Sequence, residues 1–174
     1  MKPRELEARI AERRESIAEE LIFQYDNLFH VLSVTVRPLS HKQWTSGATP
    51  ARTPVRLACH IAGSCDAYAT GEGMICERRF GAPIDSLDAD LAHDLLPTTR
   101  QVLAYIDEVR GHVHTWLGAK SNQDLLGLTP NPGWSQRGWT MLGHTIYVLR
   151  HGTLHLGQLQ AELKARGIRY GVFK

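Results

Sequence analysis

The segment TMLGHTIYVLRHGTLHLGQLQAELKARG, residues 140–167, has the clearest helical pattern in the chain. Leucines recur every seven residues along one face, at Leu142, Leu149, Leu156 and Leu163. Gly167, preceded by Lys164 and Arg166, has the features of a helix C-terminus, because glycine adopts the left-handed cap and cations favour the last turn. We therefore predict a long helix from about Thr140 to Gly167, with a continuous apolar stripe.

The rest of the chain is predicted to form three further long helices. Pro38 ends the first, Thr53-Pro54 supplies an N-cap and an N1 proline for the second, and a Gly81-Ala82-Pro83 turn separates it from the third. The predicted ranges are 4–37, 54–79 and 89–118, joined by a loop that contains Trp44 and followed by a loop over 119–139. No segment alternates with a period of two. This pattern predicts one all-α domain over 1–174, an up-down four-helix bundle.

Composition excludes several classes of protein. The chain has 174 residues and a formal charge of +2, which is too balanced to favour a nucleic-acid partner. The charged N-terminal twenty residues contain no apolar core of a secretory signal, and no run approaches a membrane span. Three cysteines without C-x-x-C spacing are typical of a reducing compartment. We expect a cytoplasmic protein without a membrane or nucleic-acid partner.

Three of the nine histidines occupy positions suited to metal binding. His151 and His155 lie one turn apart on the fourth predicted helix, at the edge of its apolar stripe. His60, on the second helix, shares its face with the small residues Gly63, Ser64, Ala67 and Gly71. Small residues there either leave room for a ligand or let another helix approach. Three neutral imidazoles suit zinc or nickel better than magnesium or calcium, and leave coordination positions open.

The run His151-Gly-Thr-Leu-His155-Leu-Gly157-Gln158, preceded far upstream by Leu57-Ala-Cys-His60-Ile, resembles the DinB family of four-helix-bundle proteins. The resemblance extends over essentially the whole chain in helix order and loop placement, including Trp44 and Thr53 before the second helix. It implies that His60, His151 and His155 are the metal ligands, that Gly157 permits close helix packing, and that Gln158 is structural.

Two functions remain open after this resemblance. The family implies a metal-dependent enzyme that acts on a small molecule, either by transfer involving a low-molecular-weight thiol or by hydrolysis with metal-activated water. The alternative is a non-catalytic metal-binding or dimerisation module with a stress-related role. The family analogy also implies a homodimer, and apolar Tyr147 and Leu154, opposite the main stripe of the fourth helix, suit such an interface.

Several residues are weaker candidates. His144, two turns before His151, is a candidate second-sphere group or substitute ligand. Glu162 and Asp66 are carboxylates near the ligands, each more consistent with a helix-surface role. Trp134 and Trp139 either cover the site near His151 or pack in the core. The remaining histidines are predicted to be surface or interface residues: His30, His41, His93, His112 and His114.

Overall fold

The computed structural model describes residues 16–49, 52–72, 75–87, 91 and 93–171. Within these residues there are four long helices: α1 (Ile17–Val36), α3 (Pro54–Thr70), α5 (Thr99–Gly118) and α8 (Met141–Ala165). Four short α-helices lie between them: α2 (His41–Thr45), α4 (Ile75–Phe80), α6 (Asn122–Leu126) and α7 (Pro132–Ser135). A 3-10 turn spans His93–Leu95. The described residues form no β-strand, which confirms the all-α prediction.

Each long helix lies beside two others. α3 packs against both α5 and α8, and α1 packs against the same two helices from the other side. Buried aromatic and aliphatic side chains fill the space between them, among them Phe29 and Leu32 of α1 and Ile61 of α3. The buried Tyr25 hydroxyl donates to the carbonyl of Thr145 at 2.9 Å, which connects α1 to α8.

The ends of α8 lie where the sequence predicts them. The Thr140 hydroxyl accepts a hydrogen bond from the Gly143 amide at the N-terminus. At the C-terminus Gly167 adopts φ +67°, and the Gly167 and Ile168 amides donate to the carbonyls of Lys164 and Leu163. This pair of bonds is a Schellman motif, the arrangement that favours glycine at this position.

Other helix boundaries differ from the predictions. The first helix ends at Val36 as expected, but residues 4–15 of its predicted range lie outside the described residues. The second predicted helix ends at Thr70, because Gly71 takes φ +74° and its amide donates to the Ala67 carbonyl; α4 then forms separately. The third begins at Thr99, after Pro97, where Thr98 and Gln101 form a capping box.

Both predicted loops contain short helices. Trp44 lies in α2, is fully buried, and donates its indole N–H to the Pro97 carbonyl at 2.8 Å. α6 and α7 occupy part of the 119–139 segment. Among the helices of the described ranges, none combines the length and the apolar character needed to cross a bilayer.

Candidate metal centre

His60 of α3 and His151 and His155 of α8 lie together in the structure. One ring nitrogen of each lies within 4.8 Å of the corresponding nitrogens of the other two, and all three side chains are partly buried. The ring centroids of His155 lie 4.5 Å from those of both His60 and His151. In the part of the chain that the structure describes, these three residues form a group that could hold a metal ion.

The ring of His60 is oriented by a backbone carbonyl. Its Nδ1 donates to the Asp85 carbonyl oxygen at 2.8 Å, so in the neutral imidazole the lone pair is on Nε2. That Nε2 lies 2.9 Å from Nε2 of His151. A hydrogen bond from the far ring nitrogen to a carbonyl is the usual way in which proteins fix the orientation of a metal-binding histidine.

Gly63 and Arg56 explain how the segment that carries Asp85 reaches α3. A Cβ atom at Gly63 would lie 3.1 Å from the Asp85 carboxylate and 3.3 Å from Cys76 Sγ, so the glycine permits this close approach. The buried Arg56 guanidinium donates to the Ser86 carbonyl beside it. Of the two roles that we left open for the small residues near His60, Gly63 therefore admits neighbouring segments: the helix α4 at Cys76 and the loop that carries Asp85.

His155 has a side-chain partner on its own helix. Its Nδ1 lies 2.9 Å from the Gln158 side-chain oxygen, which accepts the ring proton and leaves Nε2 unprotonated. Gln158 thus orients the His155 ring, which agrees with the structural role predicted for it. The i, i+3 spacing in the sequence was a signal for this contact. No comparable local signal marks Asp85, because it contributes a backbone carbonyl.

Burial favours the neutral form of His151 and His155, the two metal-site histidines of α8. Loss of solvation lowers the pKa of His151, and the neighbouring rings of His155 and His60 lower it further. Burial also lowers the pKa of His155, and electrostatic repulsion from His60 lowers it further. A lowered pKa means that these imidazoles are unprotonated at neutral pH, the form that binds metal ions.

The glycine that permits close packing of α8 is Gly152, and the prediction for Gly157 was wrong. A Cβ atom at Gly152 would lie 2.8 Å from Leu28 Cδ2 and 3.5 Å from Ile61 Cγ2. At Gly157 the same atom would meet nothing within 4 Å, because this residue faces solvent. Gly152 follows His151 directly, so the close approach of α8 to α1 and α3 helps to place His151 beside His60.

His144 lies apart from the three-histidine group. It is buried, its Nδ1 is 3.3 Å from the Thr129 hydroxyl, and its ring stacks on Trp134 at a centroid distance of 4.6 Å. Trp134 also contacts Tyr147, whose ring in turn stacks on His151 at 6.1 Å. Trp134 and its neighbour Trp139 thus pack against the first turns of α8 and reach the histidine group through Tyr147.

The two carboxylates that we considered near the ligands have other partners. Glu162 accepts a hydrogen bond from the Ala48 amide at 2.9 Å and pairs with Arg166, so it holds the loop before α3 against α8. Asp66 faces α5, where it bonds to Tyr105 and His112. His112 therefore lies where α3 and α5 meet, with its side chain 40% exposed, which agrees with the prediction of a surface or interface residue.

The distances between the imidazole nitrogens fit a small divalent ion. Two histidines on one zinc ion, at the usual bond lengths and a tetrahedral angle, place their nitrogens roughly 3.3 Å apart. The observed 2.9 Å between His60 and His151, and the 4.8 Å limit for the whole group, lie on either side of that value.

Comparison of the chain with protein-family models and with curated proteins finds no match.

Proposed function

We propose that the chain is a DinB-like four-helix-bundle enzyme in which His60, His151 and His155 hold a divalent transition metal, zinc or nickel. The observation that carries the proposal is that ring nitrogens of all three histidines lie within 4.8 Å of one another. Separate partners, the Asp85 carbonyl and the Gln158 side chain, occupy Nδ1 of two rings, and thereby leave Nε2 of each free to bind. The three imidazoles are partly buried, and the 2.9 Å contact between Nε2 of His60 and Nε2 of His151 joins only two of them, whereas a shared metal ion would satisfy Nε2 of all three.

The donor set supports a catalytic site more than a structural one. Structural zinc sites are closed by four protein ligands, whereas catalytic sites have three and leave a position for water or substrate. His144, the candidate fourth ligand, is bonded to Thr129 and stacked on Trp134. The three histidines also retain partial exposure.

The chain's own residues have defined tasks in this proposal. Asp85 and Gln158 hold the rings in one orientation, and burial keeps the imidazoles of α8 neutral. When bound, the metal supplies Lewis acidity, which acidifies a water or thiol that binds to it. The substrate is a small molecule, and a low-molecular-weight thiol is the first candidate for the co-substrate. A cavity of about 600 Å³ is lined by Tyr68 and Trp116; it lies about 12 Å along α3 from His60, and none of the three histidines lines it.

Metal analysis of protein purified without an affinity tag tests the proposal. We expect about one equivalent of a first-row metal per chain in the wild type. His151→Ala and His155→Ala should each lower metal affinity by at least about tenfold, whereas His41→Ala, which removes an exposed imidazole, should leave it unchanged. Wild-type protein that takes up no metal under replete conditions, or two site variants that retain it fully, would show that the histidines have another role.

Cobalt substitution distinguishes the two candidate reactions. If the site uses a thiol, millimolar glutathione should change the visible spectrum of the cobalt-loaded protein, because a thiolate ligand adds charge-transfer absorption. An unchanged spectrum would favour hydrolysis. The same titration of cobalt with glutathione in the absence of protein is the control, because cobalt that the protein does not hold also binds the thiol.

A non-catalytic dimerisation module is the second candidate, and exposed apolar residues on α8 favour it. Leu154 is 59% exposed, Ile146 40% and Tyr147 38%. Such residues suit an interface with a second copy of the chain. Sedimentation velocity tests this: a dimer that Leu154→Glu converts to a monomer supports the interface, and a wild-type monomer at all concentrations contradicts it.

A further inference from the structure

A buried carboxylate lies on the face of α3 that packs against α5. The Asp66 side chain is only 3% exposed and accepts two hydrogen bonds from α5, from the Tyr105 hydroxyl at 2.9 Å and from His112 Nδ1 at 2.7 Å. It is six residues after His60, about 9 Å further along the helix, and faces a different neighbour. This cluster is therefore separate from the metal centre.

The next histidine on α5 provides an internal comparison. His114 also pairs with an aspartate, Asp26, at 2.9 Å, but there both side chains are well exposed, at 43% and 38%. A solvated pair of that kind needs no functional explanation. Burying the Asp66 carboxylate costs far more, and such a buried charge is weak evidence of a contribution to stability. The difference between the two pairs points to a use for His112.

Asp66 determines which nitrogen of His112 faces outward. Because a carboxylate only accepts, the proton of the neutral ring lies on Nδ1, and Nε2 carries a lone pair. The His112 side chain is 40% exposed and lines a cavity of about 250 Å³ between α3, α4 and α5. His112 Nε2 is therefore a hydrogen-bond acceptor at the cavity, and the buried Asp66 carboxylate holds the ring in place.

The same cavity is lined by charges of both signs. Arg79 pairs with Glu108 at 2.6 Å and lies 4.8 Å from the centre of the Tyr105 ring. Arg78 pairs with Glu72, and both of those side chains are more than half exposed. Each guanidinium has five N–H groups, so these pairs leave donors for a further acceptor. The cavity thus combines donors for an anion with acceptors for a cation.

We propose that this cavity binds a small α-amino acid as its zwitterion. The ligand's carboxylate accepts hydrogen bonds from Arg78 and Arg79, and its ammonium donates to Nε2 of His112 and to Glu108. Both charges of such a ligand are balanced within one small cavity that charged side chains line. The site does not depend on the metal, and Asp66 acts as the positioning residue for His112.

NMR of the histidine side chains tests the proposal on the full chain, with L-alanine as the probe. Long-range ¹H–¹⁵N spectra resolve the ring nitrogens of His112 and His114. L-Alanine at millimolar concentration should shift the Nε2 signal of His112 and leave that of His114 in place. His112→Gln and Arg79→Gln should each weaken binding by at least about tenfold, and His114→Gln should not change it.

Partial ligands separate the proposal from simpler explanations. Acetate and methylammonium each carry one of the two charges, so both should bind at least about tenfold more weakly than L-alanine. Equal binding of acetate would mean that the ammonium contacts are unused, and would overturn the proposal. So would the absence of a shift at His112 up to tens of millimolar, or equal shifts at His112 and His114. Circular dichroism of each variant confirms that it is folded.

Discussion

Substitution of Gly152 by alanine tests how closely α8 packs against its neighbours. The added methyl would lie 2.8 Å from Leu28 Cδ2, inside van der Waals contact, and Leu28 is itself buried. Overpacking of this kind costs about 1–3 kcal/mol. Alanine also gains about 0.5–1 kcal/mol over glycine within a helix. We therefore expect Gly152→Ala to lower the free energy of unfolding by about 1 kcal/mol.

Gly157→Ala is the matched control on the same helix. Nothing lies within 4 Å of the added methyl, so this variant should be more stable than the wild type by about 0.5–1 kcal/mol. The helix-propensity gain is common to both variants. The difference between their free energies of unfolding, measured by urea denaturation, therefore reports the steric cost alone and should be about 1–3 kcal/mol.

A double-mutant cycle tests whether the Leu28 side chain causes the steric cost of Gly152→Ala. In a Leu28→Ala background the clash disappears, and Gly152→Ala should then stabilise the protein, giving a coupling energy of at least about 1 kcal/mol. The reasoning fails if Gly152→Ala is as stable as Gly157→Ala, or if the coupling is near zero. Because His151 directly precedes Gly152, a shift of α8 away from Leu28 would also move this histidine, so we expect Gly152→Ala to weaken metal binding as well.

Three further predictions concern the site and the core. Gln158→Ala should weaken metal affinity by about 10–100-fold in a chelator competition, because His155 loses its orienting acceptor, whereas Gln160→Ala on the same helix should not. Burial lowers the pKa of both metal-site histidines of α8 in the native protein, whereas in the unfolded chain their pKa is about 6.5. Just below pH 6.5 the unfolded chain therefore binds more protons than the native metal-free protein. The free energy of unfolding should therefore fall as pH falls through that range, and the fall should be shallower when both histidines are changed to glutamine. The three cysteines are free and buried, and burial raises the pKa of Cys65 to about 12. A disulfide reagent should therefore leave the native thiols unmodified and titrate all three in urea, and rapid reaction of the native protein would contradict this.

The sequence by itself determined the features that depend on local interactions. The caps of α8 at Thr140 and Gly167 follow from hydrogen bonds within a few residues. The start of α3 follows from the proline at its first position, since the Thr53 side chain makes no capping hydrogen bond. The one-turn spacing of His151 and His155 is likewise a property of a single helix. The break at Gly71 was also a local signal, which the apolar periodicity on both sides of it obscured.

Tertiary structure alone decided which partners these residues have. The Asp85 carbonyl reaches His60 across 25 residues, and Asp66 reaches His112 across 46. Neither contact leaves a pattern in the sequence. Every residue type has a backbone carbonyl, so the identity of Asp85 does not reveal the first contact, and the second depends on how α3 packs against α5. The sequence therefore predicted three candidate metal ligands. Only helix packing brought their ring nitrogens together and placed Asp66 on another face of α3. The reason is that contacts between distant segments are set by the packing of whole helix faces.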